Sequence, residues 1–275
     1  MSDAALRRGG RRRGDEKKAG RAVRTGAPVM GAARAAWFLD FDGTLVELAE
    51  APDQVRVEAE VVDMVRELER ASRGAVALIS GRRIDDIDRL FAPLHLPVAG
   101  QHGAERRGAS GRLHRYPENG RGIGAMHGIL RAWVQCRPGL LLENKGSTLA
   151  VHYRRAPELA EQLGAFMLEL VARTHGRYCL QGGKRVFEIR PSGIDKGSAV
   201  LEFMREPPFM GRMPVFVGDD ITDESAFAAV LSLGGIAVKV GEGDSIAPWR
   251  LQGVADVHAW IRSSIGARSS GEEAA

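Results

Sequence analysis

Asp40 and Asp42 stand two residues apart in the segment Asp40-Phe41-Asp42-Gly43-Thr44, directly after the apolar run Ala36-Trp37-Phe38-Leu39. Residues two apart on an extended chain end point the same way, so two carboxylates share one place. Like charges disfavour each other's ionisation, and such a pair needs a cation or a shared proton. A hard oxygen site of this kind suits Mg²⁺, which takes carboxylates and waters in octahedral geometry. Three further places put a polar group where an apolar run ends or a helix begins. Ser80 follows residues 75–79 and offers a hydroxyl, while Asp219 and Asp220 follow Val215-Phe216-Val217 and could complete a metal shell. Lys196 opens a helical stretch, where its ammonium and the first backbone N–H groups can face a phosphate. Carboxylates, hydroxyl and ammonium together make a toolkit for phosphoryl chemistry.

These groups need elements that bring them to one edge. The run 36–39 reads as a buried parallel strand. Val57, Val61, Val62, Val65 and Leu68 recur at helical spacing, and a second strand over 75–79 completes a βαβ unit. After residue 190 the same rhythm returns, with a helix from Lys196, a strand at 215–217, a helix near 223–231 and a strand near 236–240. Open α/β sheets bind ligands beyond the carboxyl ends of their strands, where all these polar groups fall. The middle of the chain differs. A polar hairpin over 104–117 is followed by helices near 118–136 and 158–174 and by strands near 140–143, 148–153, 178–181 and 186–189. The reading is an α/β fold: a doubly wound, mainly parallel, Rossmann-like core over 35–107 and 190–265, interrupted by a smaller α+β cap over 108–189.

The core motifs resemble those of the haloacid-dehalogenase-type phosphatases, which occur here in order. They are Asp40-Phe41-Asp42-Gly43-Thr44-Leu45, Ser80-Gly81-Arg82, Lys196, and Gly218-Asp219-Asp220-Ile221-Thr222-Asp223-Glu224. The resemblance implies that Asp40 attacks phosphorus and becomes an aspartyl phosphate. It implies Mg²⁺ held by the Asp40 carboxylate, the Asp42 backbone carbonyl and Asp219, with Asp42 as general acid and base. Ser80 and Lys196 would hold phosphate oxygens, and Asp220 and Asp223 would orient metal-bound waters or Lys196. Gly43, Thr44 and Gly81 are expected at the substrate, and Arg82 either there or as helix-start structure.

The segment between the second and third motifs narrows the resemblance to the trehalose-6-phosphate phosphatases. It carries Gly100-Gln101-His102-Gly103-Ala104-Glu105-Arg106-Arg107, Glu143-Asn144-Lys145, His152-Tyr153-Arg154 and Glu188-Ile189-Arg190-Pro191. Glu143 and Lys145 alternate along a strand and can face one side, as can Glu188 and Arg190, which suits the donors and acceptors of a sugar. Glu143, Lys145 and Glu188 are therefore expected to bind the sugar. His102 is open between a ligand contact and a satisfied core or hinge histidine, and His152-Tyr153-Arg154 between packing and contact. Hinges are expected near 103–108 and 190–193. Phosphatases of sucrose phosphate or hexose phosphates, and a catalytically silent sugar-phosphate sensor, are the competing readings.

Composition bounds the rest. The 275 residues carry a net charge of +4, but ten Arg or Lys against three acids in residues 1–35 leave the other 240 at −3. A basic balance of that kind lies in a tail and argues against a nucleic-acid face. Residues 1–34 are expected to be a disordered basic tail, and 266–275 a frayed end. No apolar run approaches the ~18 residues of a membrane helix, and the Arg-rich start lacks the apolar stretch of a secretory signal. Cys136 and Cys179 form no paired motif, so a reducing cytoplasm is the expected setting. The expected partner is a small sugar phosphate, with functional pairing to a separate trehalose-6-phosphate synthase.

Overall fold

The computed structural model describes residues 24–49, 54–116, 123–183 and 185–267. The chain enters at β1 (Arg24–Thr25) and continues through β2 (Ala35–Leu39), α1 (Ala59–Ala71), β3 (Val76–Ile79), α2 (Ile84–Phe91) and β4 (Val98–Gly100). A hairpin of β5 (Glu105–Arg107) and β6 (Leu113–Arg115) follows. The middle segment holds α3 (Ile123–Gln135), β7 (Leu141–Asn144), β8 (Leu149–His152), α4 (Ala160–Ala172), β9 (Tyr178–Gly183) and β10 (Val186–Pro191). The last part is α5 (Lys196–Phe203), β11 (Met213–Gly218), α6 (Glu224–Ser232), β12 (Ile236–Val240), β13 (Trp249–Leu251) and α7 (Val254–Gly266).

Nine strands form one sheet in the order β1-β13-β12-β11-β2-β3-β4-β5-β6, parallel up to β4 and antiparallel beyond it. β2 sits at its centre, and every residue of Ala-Ala-Trp-Phe-Leu is fully buried. Both its faces are covered, so its side chains alternate between two cores. Trp37 and Leu39 join α1, α2 and α7 through Leu68, Phe91 and Trp260. Phe38 points the other way, against Phe203, Phe209 and Phe227 near α5 and α6. From β2 the chain winds outward through β3 and β4 on one side and through β11, β12 and β13 on the other. The reversal falls between β2 and β11, the place where such sheets open a crevice at their carboxyl ends.

The second sheet is antiparallel, ordered β7-β8-β10-β9. On one face Leu149, Val151 and Ile189 pack with Leu130 of α3 and Leu163 and Met167 of α4. Glu143 lies opposite Ala150, Ala150 opposite Glu188, and Glu188 opposite Gln181. Residues directly opposite share a face, so these four form one row across the sheet, on the face away from the helices.

Four boundaries differ from the sequence reading. Residues 24–34, expected in a disordered tail, are built into the fold. Pro28 O accepts the indole N–H of Trp260 at 3.0 Å, and Ala32 O accepts that of Trp37 at 3.2 Å. Two buried indoles need acceptors, and this short segment supplies both. Residues 1–23 and 268–275 lie outside the described residues, as does the expected helix start at Glu118. The larger sheet runs past the expected boundary at 107 because β6 pairs with β5, while β10 carries the smaller sheet to Pro191. At the other end α7 stays helical through Gly266. Among the described residues no helix is long and apolar enough to cross a membrane.

Candidate active site

Asp40 leaves β2 with its backbone N–H still bonded to Val217 O of β11 at 3.0 Å, which fixes it at the crevice. Its carboxylate is buried. Lys196 donates to Asp40 Oδ1 at 2.6 Å, and Thr44 Oγ1 donates to Oδ2 at 3.3 Å. Lys196 also donates to Asp223 Oδ1 at 2.6 Å, so one buried ammonium joins two carboxylates brought from different strands. Local sequence sets its place. Asp195 caps α5 by accepting Ser198 N–H at 2.7 Å, while Ser198 Oγ accepts Asp195 N–H at 2.9 Å, and Lys196 becomes the first helical residue.

The electrostatics follow from burial and charge count. Burial pushes the Asp40 carboxyl well above the usual carboxylate range, and the charges of Asp223 and Asp219 add to it against the opposing pull of Lys196. Burial works against the Lys196 ammonium, but Asp223 and Asp40 outweigh it and raise its pKa above the ordinary lysine value. Asp40 and Asp223 therefore share the Lys196 ammonium, with a third carboxyl, Asp219, beside them.

Carboxylate oxygens of Asp40, Asp219 and Asp223 lie within 4.8 Å of one another. All are hard oxygen donors, the kind a divalent cation takes. Gly43, at φ +80°, closes the same space, since a Cβ there would stand 2.3 Å from Asp219 Oδ2. The cradle is thus shaped to need glycine. Asp223 is wholly buried, and its Oδ2 accepts the Asp220 N–H at 2.8 Å, so it orients Lys196 and the 219–220 turn together. The side chain of Asp42 stands apart from this cluster. Arg82 grips it with two parallel bonds, Nε to Oδ2 at 2.8 Å and Nη2 to Oδ1 at 2.7 Å. Ser80 follows β3, almost fully buried, with its Oγ accepting the Arg82 N–H at 3.1 Å.

The smaller sheet meets the core over this site. Glu188 accepts Thr148 Oγ1 at 2.7 Å and Lys145 Nζ at 3.3 Å, and His102 Nε2 lies 3.3 Å from its other oxygen. Burial alone would raise the Glu188 carboxyl, but Lys145, His102 and Thr148 together pull it far below the usual range. Lys145 Nζ reaches Gly81 O of the core at 3.4 Å. Glu143 pairs instead with His152 at 2.9 Å, and that bond holds its carboxyl below the ordinary value. His102 occupies left-handed backbone at φ +56°, following Gln101 at φ +49°. Two successive non-glycine residues there are strained, and such strain gathers where a side chain must be aimed. Gly81 makes room for it, because a Cβ at 81 would stand 2.7 Å from His102 Nε2.

Sequence reasoning missed Thr148, which bonds Glu188, and two further members of this neighbourhood. Lys239, buried near the end of β12, donates to the backbone carbonyl of Asp219 and to Val240 O at 2.9 Å. Burial lowers its pKa, against the attraction of Asp219 and Asp223. A lone lysine inside Ile236-Ala-Val-Lys-Val was the available signal. Gln181 shares the row of Glu143 and Glu188, and only strand register could reveal that.

Comparison with known proteins agrees with this geometry. Residues 38–255 match the family model for trehalose-phosphatase. The trehalose-6-phosphate phosphatase of Escherichia coli K12 is 45% identical over 233 residues, covering 83% of this chain and 86% of that protein. Among solved structures, a trehalose-6-phosphate phosphatase related protein superposes with a TM-score of 0.70 at 26% identity, over 83% of this chain and 97% of the other. A haloacid dehalogenase-like hydrolase from B. subtilis shares the fold at a TM-score of 0.60 and 14% identity, over 82% and 99% of the two chains.

Proposed function

The chain belongs to the trehalose-phosphatase family, and on that premise we propose that it hydrolyses trehalose 6-phosphate through an aspartyl phosphate on Asp40. The observation that carries the reading is the buried carboxylate of Asp40 at the crevice, held by Lys196 and Thr44 beside Asp219 and Asp223.

Asp40, Asp219 and the Asp42 backbone carbonyl would hold Mg²⁺, with Asp223 beside them. Bound there, the ion supplies charge neutralisation between nucleophile and phosphate. The remaining work falls to side chains. Lys196 fixes one oxygen of Asp40 and turns the carboxylate toward the crevice. As the Asp40–phosphorus bond forms, the ester oxygen leaves and takes a proton from Asp42. Water then attacks the same phosphorus, gives its proton to Asp42, and frees Asp40 and phosphate. Ser80 and Lys196 meet the charge that develops on the phosphoryl oxygens.

Asp42 can do this only when released from Arg82. A phosphate dianion matches the guanidinium fork as well as a carboxylate does. Arriving substrate would take the fork and free the Asp42 carboxylate, which takes up a proton from water before it passes one to the ester oxygen. The sugar would lie against Lys145, Glu143 and Glu188, with the cap closed over the site and water expelled.

Phosphate release from trehalose 6-phosphate, sucrose 6-phosphate and glucose 6-phosphate, with Mg²⁺ and with a chelator, tests the proposal. Metal-dependent turnover that favours the trehalose ester is the expected result. Preference for another ester would keep the chemistry and refute the substrate, and inactivity on all three would refute the enzyme reading.

A further inference from the structure

The turn that carries Asp219 leaves the sheet where its ladder stops. β11 and β12 pair from Val215 opposite Ile236 to Gly218 opposite Lys239, and the register ends there. The Asp219 carbonyl, one residue further on, needs a donor that the backbone of β12 no longer supplies. Lys239 provides it. Its ammonium donates to the Asp219 carbonyl and, at 2.9 Å, to Val240 O at the end of β12. One side chain thereby ties together the carboxyl ends of two parallel strands at the crevice.

The position is an unfavourable one for lysine. Ala237, two residues back on the same face, packs in the core with Phe216 and Phe227. Lys239 is itself 5% exposed, and an ammonium buried there destabilises the fold unless its N–H groups are met. Methionine would fill the same place without that penalty. The register shows what the lysine is set beside. Residues directly opposite share a face, and Asp223 fills the space over Gly218, since a Cβ at 218 would stand 2.4 Å from Asp223 Cγ. Lys239 therefore flanks the acidic cluster from β12, as Lys196 does from α5. The turn is fixed at two further points, where Asp223 Oδ2 accepts the Asp220 N–H at 2.8 Å and Glu224 Oε2 accepts the Ile246 N–H at 3.0 Å. On its inner side the Asp219 carboxylate lies against Gly43 with no room for a Cβ. Its aim thus depends on where the Asp219 main chain is held.

Resting on the metal reading above, we infer that Lys239 is a positioning residue for the Mg²⁺ site: by pinning the Asp219 carbonyl it sets the affinity for the ion without touching it. Groups that act through a ligand in this way change metal affinity about 10–100-fold when they are lost. Charge alone would act in the opposite direction. An ammonium repels a cation, so a role limited to its charge predicts tighter binding once it is removed.

The test is titration calorimetry of Mg²⁺ into the wild type, Lys239→Met, Lys239→Gln and Trp260→Phe. A dissociation constant refers only to folded molecules, so a loss of stability does not enter it. Lys239→Met is expected to raise Kd at least about tenfold. Lys239→Gln, whose amide still offers N–H donors on a shorter stem, should raise it less. Trp260→Phe, which loses the bond to Pro28 O instead, should leave it unchanged. An unchanged or tighter Kd in Lys239→Met would overturn the assignment, as would an equal weakening in Trp260→Phe. If the methionine variant yields no folded protein, an unchanged Kd in Lys239→Gln overturns it. A wild type that binds no Mg²⁺ would overturn the metal reading and this assignment with it.

Discussion

Replacing Lys196 with methionine keeps most of the apolar stem and removes the charge that joins Asp40 to Asp223. Both contacts are 2.6 Å and fully buried. Removing one partner of a buried pair typically costs about 3–5 kcal/mol, because the remaining charge has no compensation. For a protein of this size that corresponds to a fall in Tm of roughly 6–20 °C. The pH dependence has a definite sign. The Asp40 carboxyl is already raised in the folded state, so it favours folding while protonated, and that contribution fades as pH rises through its folded value. Lys196 opposes the shift through its charge and its hydrogen bond, so the variant raises the Asp40 pKa further. The gap between wild type and Lys196→Met should therefore widen from pH 5 to pH 8. Urea unfolding at both pH values, in the presence of EDTA, measures it. Asp223→Asn in the same background should recover part of the loss at pH 8, since it removes one of the two stranded carboxylates. A loss below about 1 kcal/mol at pH 8, or a gap wider at pH 5, would refute the reasoning.

Gly43→Ala should keep the fold by circular dichroism yet weaken Mg²⁺ binding at least about tenfold by calorimetry, because the new Cβ meets Asp219 Oδ2 at 2.3 Å. Lys239→Met should lower kcat more than it raises KM, and should reduce stability by about 1–3 kcal/mol, since it strands the carbonyls of Asp219 and Val240. Trp260→Phe removes the indole bond to Pro28 O and should cost about 1 kcal/mol in urea unfolding, with faster tryptic cleavage within residues 24–34.

The parallel core was legible in the sequence because its strands are buried on both faces and therefore read as unbroken apolar runs. Ala36-Trp37-Phe38-Leu39 and Val215-Phe216-Val217 each end in the acids they position. Lys196 was legible too, since Asp195 and Ser198 around it spell a capped helix start. What stayed hidden was pairing across long separations. Nothing near Asp42 announces that Arg82, 40 residues on, will hold both its oxygens. The opposition of Gln181 to Glu188 is likewise a matter of register, which no local pattern encodes. Residues 24–34 were misjudged because their composition is that of a tail, while their ordering comes from β1 pairing with β13 and from two indoles that need acceptors, the nearby Trp37 and the distant Trp260.

The central claim is that Asp40 carries the phosphoryl group, and trapping that species tests it most directly. The enzyme is mixed with trehalose 6-phosphate and Mg²⁺, quenched in acid within milliseconds, digested and analysed by mass spectrometry. The account expects one added phosphoryl group on the peptide containing Asp40, lost on treatment with hydroxylamine and absent from Asp40→Asn, which should also be inactive. Full turnover in Asp40→Asn, or a phosphoryl group trapped on any other residue, would contradict it.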